Sequence, residues 1–231
     1  MQHKKNGCLI IHGFGGSTNE VEPLAIRLAE KGYDVMCPIL KGHTGKKEDM
    51  KNANYLQWID SAEQALMKLQ TNCDDIYIIG FSMGGLIAFN LAERHDIKAI
   101  VTINTPIYYW NIKRILTNLI EDLREGDLKN FRRYMKSSRS SPFSALRNFL
   151  LLLNLTKSKL KFIKCPVYII QSLDDDTVRH ASANFIFDNL SSSTKCIKLY
   201  ESGGHLILRS QMADQIISDI EVFLKGLLIY A

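Results

Sequence analysis

The pentapeptide Gly80-Phe81-Ser82-Met83-Gly84 follows an apolar run, Asp75–Ile79, and precedes a helical pattern that starts near Gly84. A G-x-S-x-G sequence between a strand and a helix is typical of a nucleophile elbow, a strained turn that exposes a serine hydroxyl. The pentapeptide alone is expected by chance in about 8% of chains of this size. The flanking strand and helix make it more specific, and they predict Ser82 as a nucleophile.

Short apolar runs alternate with amphipathic stretches on both sides of this pentapeptide. The predicted strands are Cys8–Ile11, Asp34–Cys37, Ile76–Ile79, Ile97–Ile103, Val167–Ile170 and Lys195–Leu199. The predicted helices between and after them are Glu20–Lys31, Tyr55–Gln70, Gly84–Arg94, Ala181–Leu190 and Gln211–Leu228. Strands without strict alternation are expected to be covered on both faces. The pattern predicts an α/β fold with a mostly parallel six-stranded sheet and helices on both faces.

The alternation breaks once, between the fourth and fifth predicted strands. Residues 105–164 contain 13 Lys or Arg against four acidic residues, a net charge of +9, whereas the whole chain carries +5. Helical patterns cover Asn111–Glu125, Leu128–Lys136 and Ser144–Leu155. An insertion of this length exceeds the usual connection in an α/β unit. We therefore expect a helical cap at 105–164 over a core formed by 1–104 and 165–231.

Composition excludes several classes of protein. A net charge of +5 and a pI of about 8.9 are too weakly basic to indicate a nucleic-acid-binding protein. The five cysteines form no CxxC pair, and an odd number of buried thiols favours a reducing compartment. The apolar runs are too short for a signal peptide or a membrane span. We expect a cytoplasmic protein without a metal or other cofactor, because the histidines are dispersed and no metal-binding spacing occurs.

A second glycine-rich stretch, His12-Gly13-Phe14-Gly15-Gly16, directly follows the first predicted strand. An oxyanion that develops at a carbonyl needs two N–H donors, one of them from the residue after the nucleophile. The sequence predicts the backbone amides of Phe14 and Met83 as these donors. A phosphate-binding loop is the alternative, but the glycine spacing matches neither a dinucleotide-binding nor a Walker A pattern.

The partners of the serine are expected in the order Ser, Asp, His along the chain. Asp174, Asp175 and Asp176 follow the fifth predicted strand, and Asp175, three residues before Val178, is the favoured acid by a resemblance that the Asp-x-x-Val run carries. Asp174 and Asp176 stay alternatives, and otherwise are expected to face solvent or cap the next helix. His205, after two glycines, is favoured as the base over His180, which starts a helix.

The sequence resembles the small bacterial carboxylesterases and the monoacylglycerol-lipase-like members of the α/β-hydrolase superfamily. The resemblance covers nearly the whole chain. It rests on His-Gly-Phe-Gly-Gly at 12–16, Lys-Gly-His at 41–43, Gly-Phe-Ser-Met-Gly-Gly at 80–85, Asp-x-x-Val at 175–178 and Ser-Gly-Gly-His at 202–205. It implies a triad of Ser82, Asp175 and His205, an oxyanion hole at Phe14 and Met83, and a strand order of 2-1-3-4-5-6. The family often has one glycine before the histidine where this chain has two.

The chemistry expected from these residues is hydrolysis of a small apolar acyl ester through an acyl-enzyme on Ser82. Phe14, Tyr108, Tyr109 and Trp110 are candidate substrate-binding residues, although an aromatic cluster is more often plain packing. Alternatives are a monoacylglycerol lipase, another acyl hydrolase or acyltransferase, and a ligand-binding protein that has lost catalysis. A further hypothesis is weak peripheral contact of the basic cap with anionic membranes. The basic residues concerned are Arg124, Arg132, Arg133, Lys136 and Arg139.

Overall fold

The computed structural model describes residues 5–108 and 142–229. Its strands are β1 (Asn6–Ile11), β2 (Asp34–Met36), β3 (Asp75–Phe81), β4 (Ala99–Ile103), β5 (Val167–Ser172) and β6 (Lys195–Tyr200). Its α-helices are α1 (Glu22–Glu30), α2 (Lys47–Lys51), α3 (Tyr55–Gln70), α4 (Met83–Ala92), α5 (Phe143–Lys159), α6 (Ala181–Asn189) and α7 (Ala213–Ile229). Each of the six predicted strands is present, with limits that differ by at most two residues at either end.

The six strands form one sheet in the order β2-β1-β3-β4-β5-β6. Every neighbouring pair of strands is parallel. The α/β fold, its six-stranded sheet and the strand order implied by the resemblance are therefore confirmed. Because the strands are parallel, their carboxyl ends lie along the same edge of the sheet, where loops from β1, β3, β5 and β6 meet.

Helices cover both faces of the sheet. One buried apolar cluster joins side chains of β1, β3, β4 and β5 to those of α3, α4, α5 and α6. The opposite cluster joins the other faces of the strands to α1 and α7. Strands such as β4, whose five residues are all buried, read as continuous apolar runs because both of their faces are covered.

Helix α3 illustrates how the sequence sets an element's limits. Asn54 caps the helix: its side chain accepts the Gln57 N–H, and the Gln57 side chain accepts the Asn54 N–H, a reciprocal capping box. The helix buries the stripe of Trp58, Ile59, Ala62, Ala65, Leu66 and Leu69 against the sheet. Both its start and its end are those expected from the sequence.

Helix α5 belongs to the core rather than standing apart from it. It runs from Phe143 to Lys159 and packs against α2, α3 and α4. Phe149, Leu152 and Leu153 lie in the same apolar cluster as the sheet, and the buried hydroxyl of Thr156 accepts a hydrogen bond from Asn90 of α4 at 2.8 Å. Residues 143–159 of the expected cap therefore pack on the core, while the cap at 105–164 stays a prediction. The predicted cap helices Asn111–Glu125 and Leu128–Lys136 lie outside the described residues.

The five cysteines form no disulfide bond. Cys8 and Cys73 are buried, Cys37 and Cys165 are half-buried, and Cys196 is exposed.

Across residues 5–108 and 142–229, no helix has the length and apolar character needed to cross a membrane.

Candidate active site

Ser82 lies on the sharp turn between β3 and α4. Its backbone has φ 52° and ψ −121°, a conformation that L-residues rarely adopt and that stores strain at functional sites. The Ser82 N–H donates to the carbonyl of Ile103 at 2.8 Å, which ties the turn to β4. The turn packs too tightly for side chains at its glycines. A Cβ at Gly80 would lie 2.3 Å from the Gly85 nitrogen, and one at Gly84 would lie 2.1 Å from the Ile11 carbonyl oxygen.

His205 lies between Ser82 and Asp175. Its Nδ1 is 2.8 Å from Asp175 Oδ2, and its Nε2 is 3.1 Å from Ser82 Oγ. With the proton on Nδ1, the neutral imidazole donates to the carboxylate and accepts from the serine hydroxyl. The structure thus brings together the three residues that the sequence singled out, although they come from the ends of three different strands.

Asp175 is buried and accepts hydrogen bonds at both carboxylate oxygens. Its side chain is 1% exposed, and its second oxygen, Oδ1, accepts the N–H groups of Thr177 and Val178 at 2.8 and 2.9 Å. These bonds leave Oδ2 for the imidazole. Burial lowers the pKa of His205, but the charge of Asp175 and its hydrogen bond outweigh this effect, and the pKa lies above the ordinary value of 6.5.

The loop that carries His205 is anchored by Asn104, which sequence reasoning missed, and by Asp174, which it kept only as an alternative acid. Asn104, fully buried after β4, donates from Nδ2 to the carbonyls of Gly204 and His205 at 3.0 and 2.8 Å. The Asp174 carboxylate accepts the N–H groups of Gly203 and Gly204 at 3.3 and 2.7 Å. Both glycines have positive φ, 129° and 62°, a backbone region that favours glycine, so the anchored conformation of the loop requires both of them.

The expectation that Asp174 and Asp176 face solvent or cap a helix is wrong. Asp174 is bonded to the histidine loop and to the Ser172 hydroxyl. Asp176 is only 4% exposed and accepts a hydrogen bond from the Thr177 hydroxyl. A run of acids usually lies on the surface, but here it leaves β5 at the crowded carboxyl edge of the sheet, where backbone N–H groups of neighbouring loops are available as donors.

The loop after β1 lies directly against the serine. A Cβ on Gly13 would be 3.2 Å from the Cβ of Ser82. The Gly13 carbonyl is held by two groups: His12 Nδ1 at 2.9 Å and the Gly16 N–H at 3.3 Å. In a trans peptide the N–H points away from the carbonyl, so these two bonds also fix the direction of the Phe14 N–H.

The predicted oxyanion donors are both available. Met83 is the first residue of α4, and the first N–H groups of a helix have no partner within it. Neither the Phe14 nor the Met83 amide donates a hydrogen bond to any of the residues that the structure describes. Two free N–H groups on the two loops that flank Ser82 are the arrangement that an oxyanion hole requires.

His12 and His43 support this loop as neutral groups. His12 accepts the Leu40 N–H at Nε2, 3.3 Å away, and thereby ties the loop to the segment that contains His43. Burial lowers the pKa of His12, and burial together with the neighbouring His12 lowers the pKa of His43 to about 4. Both hydrogen bonds of His12 are to backbone groups, the Gly13 carbonyl and the Leu40 N–H.

Two of the aromatic residues predicted to bind substrate, Phe14 and Tyr108, contact different helices. The Phe14 ring contacts Phe149 of α5 and Trp58 of α3, with ring centroids 5.1 and 5.8 Å apart. Tyr108 is 39% exposed and packs edge-on against Phe185 of α6, 5.8 Å between centroids. Tyr109 and Trp110 lie outside the described residues, as do the five basic cap residues of the membrane hypothesis.

The remaining described histidines do not approach Ser82. His180 is exposed at the start of α6, and His95 pairs with Glu63 at 2.6 Å. Within 5–108 and 142–229, no group of three or more His, Cys, Asp or Glu side chains is arranged to hold a metal ion.

Comparisons with known proteins agree with this fold. Residues 9–162 match the sequence model of a family described as alpha/beta hydrolase fold. The chain is 33% identical over 211 residues to a thermostable monoacylglycerol lipase of Bacillus sp. (strain H-257), covering 87% of this chain and 82% of that protein. It is 25% identical over 226 residues to a carboxylesterase of Bacillus subtilis (strain 168), covering 95% and 92%. A solved structure of a metagenome-derived lipolytic enzyme superposes with a TM-score of 0.82 at 22% identity, covering 96% and 94%.

Proposed function

The chain belongs to the α/β-hydrolase fold family, and we propose that it is a serine carboxylic ester hydrolase that acts through a covalent acyl-enzyme on Ser82. The observation that carries the proposal is the row of hydrogen bonds from Ser82 Oγ through His205 to Asp175, with distances of 3.1 and 2.8 Å. A hydroxyl becomes nucleophilic when an adjacent base removes its proton, and the base keeps the required tautomer when a third group orients it.

Acylation follows from this geometry. His205 Nε2 takes the proton of Ser82 Oγ as that oxygen forms a bond to the ester carbonyl carbon. The carbonyl oxygen becomes an oxyanion between the amides of Phe14 and Met83, each of which contributes about 3–4 kcal/mol to the transition state. The tetrahedral intermediate collapses, the bond to the alcohol oxygen breaks, and His205 returns the proton to the leaving alcohol.

Deacylation repeats the sequence with water. His205 accepts a proton from the water as its oxygen attacks the acyl carbon, and it then returns the proton to Ser82 Oγ as the carboxylic acid leaves. Asp175 stays ionised throughout, because Thr177 and Val178 donate to one oxygen and the imidazole donates to the other.

An apolar acyl group is the substrate that fits the surroundings of the site. The ring of Phe14, whose amide is a candidate oxyanion donor, packs on Trp58 and Phe149, so apolar side chains begin immediately beside the reacting carbonyl. The monoacylglycerol lipase among the relatives makes a glycerol monoester the more specific candidate. Comparing a glycerol monoester with the methyl ester of the same acid tests whether the glycerol moiety is recognised.

Replacement of Ser82 tests the proposal. We expect Ser82→Ala to lower the hydrolysis rate of p-nitrophenyl esters by several orders of magnitude and to abolish labelling by a fluorophosphonate probe, with unchanged circular dichroism. Ser191→Ala is the matched control, because Ser191 precedes β6 at the amino edge of the parallel sheet, opposite the edge that carries Ser82, and bonds the Lys161 carbonyl. Wild-type protein that neither reacts with the probe nor hydrolyses esters would identify a ligand-binding protein without catalysis instead.

A further inference from the structure

A second carboxylate, that of Glu20, lies behind the loop that follows β1. Glu20 ends a short 3-10 turn, Thr18–Glu20, that leads into α1. Its Oε2 accepts the N–H of Gly13 at 3.0 Å. The side chain is half-buried, and among the residues that the structure describes it forms no ion pair with a lysine or arginine. Partial burial of a carboxylate without a cation has a cost in free energy, so this one calls for an explanation.

The loop is shaped around this carboxylate. A Cβ on Gly16 would lie 2.2 Å from both Oε1 and Oε2 of Glu20, so the carboxylate occupies the space that a side chain at position 16 would fill. Gly13 adjoins both groups: a Cβ there would be 3.3 Å from Glu20 Oε2 and 3.2 Å from the Cβ of Ser82. The carboxylate and the serine thus both lie close to the same glycine.

The bond to Glu20 holds the His12–Gly13 peptide, which adjoins the Gly13–Phe14 peptide that carries the candidate oxyanion donor. The Gly13 N–H is held by Glu20, and the Gly13 carbonyl is held by His12 and Gly16. With both polar groups of Gly13 bonded, the Phe14 N–H has little freedom to turn. Preorganised donors stabilise an oxyanion more than mobile ones, because no reorganisation is needed when the charge develops.

We propose that Glu20 is a positioning residue of the active site, which holds the Gly13 N–H in the loop that carries the candidate oxyanion donor Phe14 and places a second negative charge near Ser82. The inference rests on the proposed function, since it assigns the site a supporting group. Glu20 acts through Gly13 and through its field and does not touch the substrate.

The charged and neutral groups that face His205 show how the charge of Glu20 affects the pKa of His205. Asp175 contacts the imidazole, Asp176 follows it on the same loop, and Glu20 approaches from the loop after β1; all three raise the pKa of His205, against burial, which lowers it. The hydroxyl of Ser82 and the ring of Phe81, 5.1 Å between centroids, are the neutral neighbours. Burial in turn raises the pKa of Glu20, while its bond to Gly13 and the charge of His205 lower it.

Substitution separates the effect of the Glu20 charge from the effect of its hydrogen bond to Gly13. Glu20→Gln keeps a side-chain oxygen that can accept the Gly13 N–H but removes the charge, whereas Glu20→Ala removes both. Because the transition state contains an oxyanion as well as an imidazolium, the charge is expected to change the pH profile more than the plateau rate. Glu22→Gln is the matched control, since Glu22 is two residues away, 55% exposed, and paired with Arg209.

The experiment measures kcat/KM against pH for the wild type and the three variants. We expect Glu20→Gln and Glu20→Ala to move the acid limb to lower pH by about half a unit, because the imidazolium loses a favourable charge. We expect kcat of Glu20→Ala to fall about tenfold and Glu20→Gln to recover most of that loss. Glu22→Gln is expected to match the wild type in both respects.

An activity-independent measurement separates this inference from the proposed function. NMR titration of the His205 imidazole, assigned with His205→Asn, is expected to give a lower pKa in Glu20→Gln than in the wild type, whether or not the protein hydrolyses esters. An equal His205 pKa in the two proteins overturns the role of the charge. Equal kcat values for Glu20→Ala, Glu20→Gln and the wild type overturn the role in positioning.

Discussion

Asn104 holds the backbone of His205: its Nδ2 lies 2.8 Å from the His205 carbonyl oxygen, across 101 residues of sequence. The same side chain accepts the Ser172 N–H at Oδ1, 2.8 Å away, so one buried amide joins β5 to the histidine loop. Asn104 has a φ of 48°, which asparagine tolerates better than most residues other than glycine.

Substitution at Asn104 should therefore impair both stability and turnover. We expect Asn104→Gly, which suits the positive φ but has no side chain, to cost about 1–3 kcal/mol in urea unfolding because buried backbone groups lose their partners. Asn104→Ala adds backbone strain and should cost about 1 kcal/mol more. Both should lower kcat through a displaced His205. Wild-type kcat in Asn104→Gly would show that the loop holds its position without this amide.

Asp175 should matter for turnover far more than for substrate binding. We expect Asp175→Asn to lower kcat about 10³- to 10⁴-fold, because an amide stabilises neither the required tautomer nor the imidazolium. KM should change little, since Asp175 is buried behind His205. Steady-state kinetics on a p-nitrophenyl ester measures both parameters. A loss below tenfold would mean that a neighbouring carboxylate replaces Asp175.

The pH dependence follows from the direction of the His205 shift. The base must be neutral to accept the serine proton, so kcat/KM should rise with pH as His205 loses its proton. Burial lowers the pKa of His205, but the charge of Asp175 and its hydrogen bond raise it by more. The midpoint of the rise in kcat/KM should therefore lie above pH 6.5. A limb centred below 6.5 in the wild type would contradict the hydrogen bond between these two residues.

Two glycines give opposite predictions for the same substitution. Gly84→Ala would place a methyl group 2.1 Å from the Ile11 carbonyl oxygen, and we expect it to destabilise the protein by about 3 kcal/mol and to abolish activity. Gly226→Ala, in α7 with nothing within 4 Å of the new Cβ, should instead stabilise by about 0.5–1 kcal/mol. Urea unfolding of both variants is the measurement, with equal shifts as the contradicting outcome.

The Phe14 side chain should affect the choice of acyl chain rather than the chemistry. Phe14→Ala keeps the backbone N–H but removes a ring that contacts Phe149 and Trp58. We expect KM for medium-chain p-nitrophenyl esters to rise up to about tenfold, the equivalent of about 1.4 kcal/mol of lost apolar contact. The acetate ester should be affected less. An equal change across all chain lengths would place the acyl group elsewhere.

Much of the architecture could be predicted from local patterns. Helix α3 is amphipathic and capped by its own sequence, and the strand preceding Ser82 is a continuous apolar run, so neighbouring residues alone specify both elements. The candidate triad could be selected because the order of its residues and their positions after strands restrict the choice to a few side chains.

The supporting residues could not be predicted because their partners are distant in sequence. In the sequence, Asn104, Asp174 and Glu20 look like ordinary polar residues. In the structure, Asn104 and Asp174 bond backbone groups of the histidine loop, and Glu20 bonds the N–H of Gly13. The contacts of helix α5 could not be predicted either, because sequence periodicity does not say which surface its apolar face covers. A signal was available for Asn104, since a polar residue directly after a wholly buried strand needs a partner.

The dispersal of the site over the sheet has a consequence for how the chain folds. Ser82 and His205 are 123 residues apart, and the strands that bring them together, β3 and β6, are separated in the sheet by β4 and β5. The row of hydrogen bonds needs the pairing of β4 with β5, two strands that the long segment 104–166 separates along the chain, so a refolding chain acquires its reactive serine only after this non-local pairing has formed. Recovery of probe reactivity after denaturation is thus a late signal, one that reports assembly of the sheet from β3 to β6 rather than early collapse.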